Sequence, residues 1–183
     1  MVPVGRLPYW VLPKLGAVLP ESFGGKLKPV ALPPLEVPQQ AYRKSRGQYE
    51  ASSFLREVLK QCEGRVLALT GVDLYAPGLN FVFGLAECPG RGALVSVCRL
   101  DPRFYRERGG GNLLQERLVK EAVHELGHTL GLGHCARRSC VMSFSNSILE
   151  VDAKGRAFCR ECSGRLERVL PEPSRDSSRP ESF

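Results

Sequence analysis

All three histidines of this chain, His124, His128 and His134, fall within the twelve residues HELGHTLGLGHC, and Cys135 directly follows the last. Helix positions four apart share one face at about 5 to 6 Å between Cβ atoms, so His124 and His128 can grip one cation through their imidazoles. Glu125 projects beside them. It is badly placed to be a ligand and well placed to hold a water on the same cation, the general-base position of the H-E-x-x-H motif. Continuing the helix would carry later side chains away from the metal. Gly131 offers the way out, because a glycine takes positive φ, ends the helix and lets His134 turn back as a third ligand. Three protein ligands leave one position open, the arrangement of a catalytic zinc rather than a structural one. An isolated H-E-x-x-H can arise by chance on any helix. Here it is extended to H-E-x-x-H-x-x-G-x-x-H, and the chain has no histidine outside it.

The motif needs a helix, and the flanking residues supply one. Val119, Val123, Leu126 and Leu130 repeat at helical spacing, and Asn112 with Gln115 three residues on has the form of an N-cap after the run Gly109, Gly110, Gly111, predicting a helix over about 113–131. Upstream, QYEASSFLREVLKQC sets Ala51, Phe54, Leu55, Val58, Leu59 and Cys62 on one helical face, with Gly64 as its stop. Between the two helices, RVLALTG, LNFVFGLAE and ALVSVCRL are short apolar runs separated by Pro- or Gly-containing turns, predicting neighbouring strands of one sheet, the last two as a hairpin. Residues 1–46 read as short strands or extended segments punctuated by proline, and 132–165 as irregular. PEPSRDSSRPESF, 171–183, has the composition of a disordered tail.

Composition bounds the partners. The net charge of +7 comes from 26 basic and 19 acidic residues. The charges are scattered and no aromatics alternate with them, which favours a solvated basic face over a nucleic-acid groove. Prolines 3, 8, 13 and 20 break every apolar stretch of the N-terminus too early for a membrane span or a secretory leader, so the expectation is a cytoplasmic protein. An odd count of seven cysteines argues against a disulfide framework and for reduced thiols or metal ligands. Cys62, Cys88 and Cys98 lie in apolar contexts and read as small core residues. Cys135, Cys140, Cys159 and Cys162 form C-x4-C and C-x2-C pairs in a segment with little apolar material, which suits a closed tetrahedral zinc better than four free thiols.

The extended histidine pattern resembles the metzincin metallopeptidases, and that resemblance implies a methionine in a tight turn beneath the metal. Apart from Met1 the chain has only Met142, eight residues after His134 in CVMSFSNS. The cysteine pairs narrow the likeness to the archaemetzincin family, in which a catalytic zinc and a four-cysteine zinc sit side by side. DLYAPGLNFVFGLAE, SVCRL and FSNS also resemble that family, so the likeness covers most of residues 47–165. The family spacing between Met142 and Cys159 is about one residue longer than the sixteen found here. Many metzincins carry a tyrosine two residues after the methionine. This chain has Phe144, so no phenol from that position can bind an oxyanion.

The resulting expectation is an α/β fold: one metzincin-like domain over 1–170, with a mixed twisted sheet, a backing helix, an active-site helix and a zinc-binding part at about 132–170. The implied function is a monomeric zinc metallopeptidase with two zinc ions and a peptide or protein substrate, Glu125 serving as general base. The substrate would lie extended beside an edge strand, either ALVSVCRL or LNFVFGLAE. Two alternatives stand beside it: a zinc-stabilised peptide- or protein-binding module without turnover, and a peptidase whose third ligand is a distant glutamate rather than His134.

Overall fold

A computed structural model describes residues 1–107 and 110–170; the tail expected over 171–183 lies outside the described residues. The chain forms β1 (Val2–Val4), α1 (Val11–Ser22), β2 (Tyr42–Arg43), β3 (Gln48–Glu50), α2 (Ala51–Leu59), β4 (Val66–Thr70), β5 (Leu74–Tyr75), β6 (Gly84–Ala86), β7 (Gly92–Ser96), α3 (Gly111–Thr129), α4 (Ile148–Ala153) and α5 (Arg160–Val169). The main sheet has the order β1-β4-β7-β6, parallel throughout except for β6, which runs antiparallel to β7. The three apolar runs are thus neighbours in one mixed sheet and the last two form the expected hairpin, although only three residues of LNFVFGLAE pair as strand.

Alternation along β4 and β7 divides the core in two. Leu67, Leu69, Ala93 and Val95 face α1 and α3, whereas Val66, Ala68 and Leu94 face α2. The sheet therefore lies between α2, the expected backing helix, and the active-site helix α3. A second, small sheet of order β2-β3-β5 was not foreseen, since its strands are two or three residues long and carry no periodic signal.

The largest correction is α1, a helix where proline-broken extended chain was expected. Pro13 stands in the first turn, whose amides have no helical acceptor, so only Pro20 removes a helical bond. That costs about 3 kcal/mol. Val11, Leu15 and Leu19 each bury completely or nearly so on the face toward α3, and each contributes about 2 kcal/mol. Burial wins. Glu50 likewise supplies the N-cap of α2 by accepting the amides of Ser52 and Ser53, and α2 ends at Leu59, before Gly64.

Helix α3 begins earlier than expected, with Gly110 in extended conformation at the N-cap and no side-chain cap, so Asn112 is inside the helix. Residues 132–165 are not wholly irregular, because they contain α4 and the start of α5. Of the three cysteines read as core, Cys62 and Cys98 are half-buried and Cys88 is exposed. Among the described residues, no helix is long and apolar enough to cross a membrane.

Arg117 anchors α3. Its guanidinium is 1% exposed, pairs with Asp152 of α4 at 2.7 Å and with Glu107 at 2.9 Å, and donates to the Leu100 carbonyl. Truncation would leave that carbonyl and two carboxylates without their donor. Arg117→Ala is expected to lower the unfolding free energy by about 3 kcal/mol in urea titration, with α4 losing its hydrogen-exchange protection first.

Candidate active site

Helix α3 presents His124 and His128 one turn apart. Gly131, at φ +86°, closes the helix, and the chain returns with His134. The His124 ring lies 4.6 Å from that of His128 and 5.5 Å from that of His134. One nitrogen from each ring lies within 4.8 Å of the others. His134, not a distant glutamate, completes this set.

The tautomers follow from the hydrogen bonds. His124 Nδ1–H donates to the Val141 carbonyl at 2.7 Å, and His128 Nδ1–H to the Leu132 carbonyl at 2.6 Å. A carbonyl only accepts, so both protons sit on Nδ1 and both Nε2 atoms carry lone pairs. Those Nε2 atoms face each other at 3.1 Å. Two lone pairs repel at that distance unless a cation lies between them, and tetrahedral zinc with nitrogen ligands at about 2.1 Å sets them roughly 3.4 Å apart. The donor set therefore fits zinc. Burial holds all three imidazoles below their ordinary pKa, His124 furthest, with Lys154 adding to the effect on each.

Glu125 is buried beside the histidines. Burial first, and then the Glu121 carboxylate one turn earlier, push its pKa well above the ordinary carboxylate range, while Lys154 acts the other way. Gly84 of β6 lies against it: a Cβ there would stand 2.7 Å from Glu125 Cγ and Oε1. These residues line a cleft of about 330 Å³, with Phe144 and Cys88 also in its walls. The Phe144 ring sits 4.9 Å from that of His134 and is 52% exposed.

Between the edge candidates the sheet decides. β6 is the edge and β7 is interior. The Phe83 carbonyl and the Glu87 amide turn toward β7, so by alternation Gly84 and Ala86 direct their main-chain groups outward.

The four cysteines converge beside this site. One sulfur from each of Cys135, Cys140, Cys159 and Cys162 lies within 4.8 Å of the others, and Cys135 Sγ is 3.8 Å from Cys159 Sγ. Zinc–sulfur bonds of about 2.3 Å in a tetrahedron imply roughly that separation. The Cys159 amide donates to Cys140 Sγ at 3.3 Å. The Cys162 amide pulls the Cys159 thiol down to about 6, while burial raises Cys140 and Cys162. One thiol is thus ready to ionise, whereas burial holds Cys140 and Cys162 protonated unless a cation draws the proton off.

Met142 is completely buried beneath the histidines, and its carbonyl accepts the Cys135 amide at 2.9 Å. The carbonyl that holds a histidine, Val141 to His124, and the one that holds a cysteine, Met142 to Cys135, thus come from adjacent residues. The sequence missed Glu121, which lines this cleft, and Lys154, with which it forms a buried ion pair of 2.7 Å. A signal for the first was available: Arg117, Glu121 and Glu125 recur every fourth residue on a helix face that is buried.

Peptidase family M54 matches residues 24–168. The chain belongs to the archaemetzincin family. It is 56% identical to the archaemetzincin of Methanopyrus kandleri over 141 residues, 74% of this chain and 75% of that one. With that of Methanocaldococcus jannaschii the identity is 44% over 165 residues, 90% of each chain. The crystal structure of the Methanopyrus kandleri archaemetzincin superposes with a TM-score of 0.80 at 47% identity, covering 92% of this chain and 93% of that one. That of Archaeoglobus fulgidus archaemetzincin, complexed with malonate, gives 0.78 at 40% identity, covering 90% and 97%. This archaemetzincin is accordingly a zinc metallopeptidase acting on peptides, and not the binding module without turnover.

Two outcomes follow from the packing and the titrations. A Cβ at Gly127 would stand 2.5 Å from Met142 Sδ, so Gly127→Ala is expected to destabilise the protein by about 1 to 3 kcal/mol in thermal unfolding. The depressed imidazoles also set a pH dependence. Below about pH 6.5 the unfolded chain takes up protons that the folded metal-free chain refuses, so stability falls as pH falls. Glu125, being raised, titrates in the opposite sense. Metal-free Glu125→Gln protein, freed of that term, is therefore expected to lose Tm steadily from pH 7 to 5.5, and a flat profile would contradict the imidazole environment described here.

Proposed function

We propose that His124, His128 and His134 hold a catalytic zinc, that Cys135, Cys140, Cys159 and Cys162 hold a structural one, and that Glu125 is the general base of peptide-bond hydrolysis. The observation that carries this is the convergence of two Nε2 lone pairs and a third imidazole beside a buried carboxylate, at the wall of a cleft whose opposite rim is an open strand edge.

When bound, zinc supplies a Lewis acid that acidifies water and polarises the scissile carbonyl. The chain does the rest. The outward main-chain groups of Gly84 and Ala86 hold an extended substrate by strand addition. Gly84, lacking Cβ, lets that strand approach the Glu125 carboxylate. Glu125 takes the proton of the attacking water and then delivers it to the leaving amine. Phe144 offers a ring and no hydroxyl, so it contributes apolar contact to the substrate and no oxyanion donor. Met142 and Gly127 form the close-packed floor that keeps His124 in place.

The structural zinc has a mechanical role in this reading. Cys135 follows His134 directly and its amide is bonded to Met142, so the cysteine site clamps the return of the chain that carries the third ligand. The protein is read as a cytoplasmic monomer without a nucleic-acid partner, in keeping with seven unpaired cysteines and a scattered basic surplus.

The test is cleavage of a diverse short-peptide library together with metal analysis. Wild type is expected to carry two zinc ions and to cleave in a chelator-sensitive manner. Glu125→Ala should keep both ions and lose at least about a hundredfold in rate. His134→Ala should keep one. Cys140→Ser should lose the structural ion, lower the Tm and weaken the affinity of the histidine site. Undiminished cleavage by Glu125→Ala would refute the assignment of the base.

A further inference from the structure

The outer edge of the strand that contains β6 is open over part of its length and filled just before it. By the alternation that turns Phe83 and Glu87 toward β7, Val82 directs its main-chain groups the same way as Gly84 and Ala86. There it meets a partner, because its amide donates to the Leu74 carbonyl at 3.0 Å in an antiparallel bridge. β5 therefore occupies the place beside Val82 that an added strand would need. The chain reaches that place from β4 by crossing the end of β7, where the Ser96 hydroxyl donates to the Val72 carbonyl at 2.6 Å. Ala76 and Leu79, which follow β5, line the same cleft.

This obstruction is anchored from several sides. Arg99 donates to both carboxylate oxygens of Asp73 at 2.7 and 2.8 Å, and Gln48 donates to one of them at 3.0 Å. Arg46 donates to the Leu79 and Asn80 carbonyls at 3.1 and 3.0 Å, and its guanidinium stacks 4.2 Å from the centre of the Tyr75 ring. β3 pairs along the far side of β5. The small second sheet thus holds a wall of the cleft.

The direction of the strands places this wall on one side of the cleaved bond. Gly84 lies against Glu125, and the Gly90 amide, past the end of β6, donates to the Thr129 carbonyl at 3.2 Å, so β6 and α3 advance in the same sense. A peptide pairing antiparallel with β6, the slightly more stable ladder, runs opposite to both. Its residues after the cleaved bond therefore point toward Val82 and β5. From the level of Gly84, beside Glu125, to that of Val82 an extended strand advances about 7 Å, or about two residues. Before the bond, the peptide runs along Ala86 toward the exposed Cys88.

We propose that β5, with Ala76 and Leu79, closes the leaving-group end of the cleft, and that the enzyme therefore removes about one or two residues from the C-terminal end of extended peptides. Hydrolysis there yields a shortened peptide with a new carboxylate and a free amino acid or dipeptide that carries the amine. A longer piece after the bond would have to leave the strand edge and give up its main-chain hydrogen bonds.

Because this deepens the peptidase reading, the test has two readouts. In the first, the zinc-loaded protein digests a degenerate linear peptide library and the fragments are sized by mass spectrometry. C-terminal fragments of about one or two residues are expected. The same library ending in a run of D-residues, whose susceptible bonds all lie farther from the end, should be cut at least about a hundredfold more slowly. In the second, which needs no turnover, zinc-loaded Glu125→Ala is irradiated with a peptide pool ending in p-benzoylphenylalanine. Adducts are expected within residues 73–79, and a pool beginning with that photoreactive residue should label elsewhere. Adducts at 73–79 from the first pool alone, without any cleavage by wild type, would leave the closed end standing and remove the catalytic reading. Longer C-terminal fragments, release of residues from the N-terminal end instead, or the absence of adducts at 73–79 would overturn the closed end.

Discussion

The hydrogen bond from His124 Nδ1 to the Val141 carbonyl joins the two stretches of chain on which the site depends. It fixes the imidazole with its proton away from the cleft, and so leaves Nε2 as a lone-pair donor. The same short stretch is held from both sides, since the Val141 amide donates to the Ala157 carbonyl and the Met142 carbonyl accepts from Cys135. Helix α3, the turn at Met142 and the cysteine-bearing segment are thus tied together by these hydrogen bonds as well as by the apolar core that they share. Gly127 permits this by letting Met142 Sδ approach closer than any side chain would. The two groups of candidate metal ligands are consequently parts of one mechanical unit.

Helix α3 carries an unusual load for a buried helix. Arg117, Glu121, His124 and Glu125 are all buried, and in an isolated helix such residues would face water. The first three are answered by specific partners: Asp152 and Glu107 for Arg117, Lys154 for Glu121, Val141 for His124. Three of these partners come from the chain after the helix, Asp152 and Lys154 from the region of α4. The C-terminal part therefore does more than carry cysteines. It neutralises the helix whose opposite face is packed by α1 and the sheet. Rules of apolar patterning are broken along one line of this helix, which is where proteins concentrate function.

The parts of the fold that were legible in the sequence are those with strong periodicity or unusual chemistry. The stripes of α2 and α3 and the apolar runs of β4 and β7 were read as elements of the right type, with ends displaced by a few residues, since amphipathic spacing reflects burial directly. Helix α1 was not, because prolines in a local reading break a helix, and their cost is offset only by Val11, Leu15 and Leu19 packing against residues more than a hundred positions away. Asn112 resembled a cap, yet Gly110 already held the extended conformation and the helix began two residues sooner. Cys88 sat among apolar neighbours in sequence but emerged at the rim of the cleft, because its hairpin turn is exposed.

By itself the sequence picked out the candidate site chemistry: three imidazoles and a neighbouring carboxylate at spacings set by helix geometry and by Gly131, four thiols in two pairs, and the methionine between them. Those are local or composition-level facts, and the bonding preferences of imidazole and thiolate need no fold to be stated. Only the tertiary structure decided which strand is the open edge, which backbone carbonyls fix the tautomers, and that Lys154 meets Glu121 in a buried ion pair. Most of these depend on pairings between distant residues, His124 with Val141 at 17 positions and Glu121 with Lys154 at 33, and no pattern along the chain records them. Long-range pairing is selected by the burial of whole faces, and a one-dimensional reading sees each face without its partner.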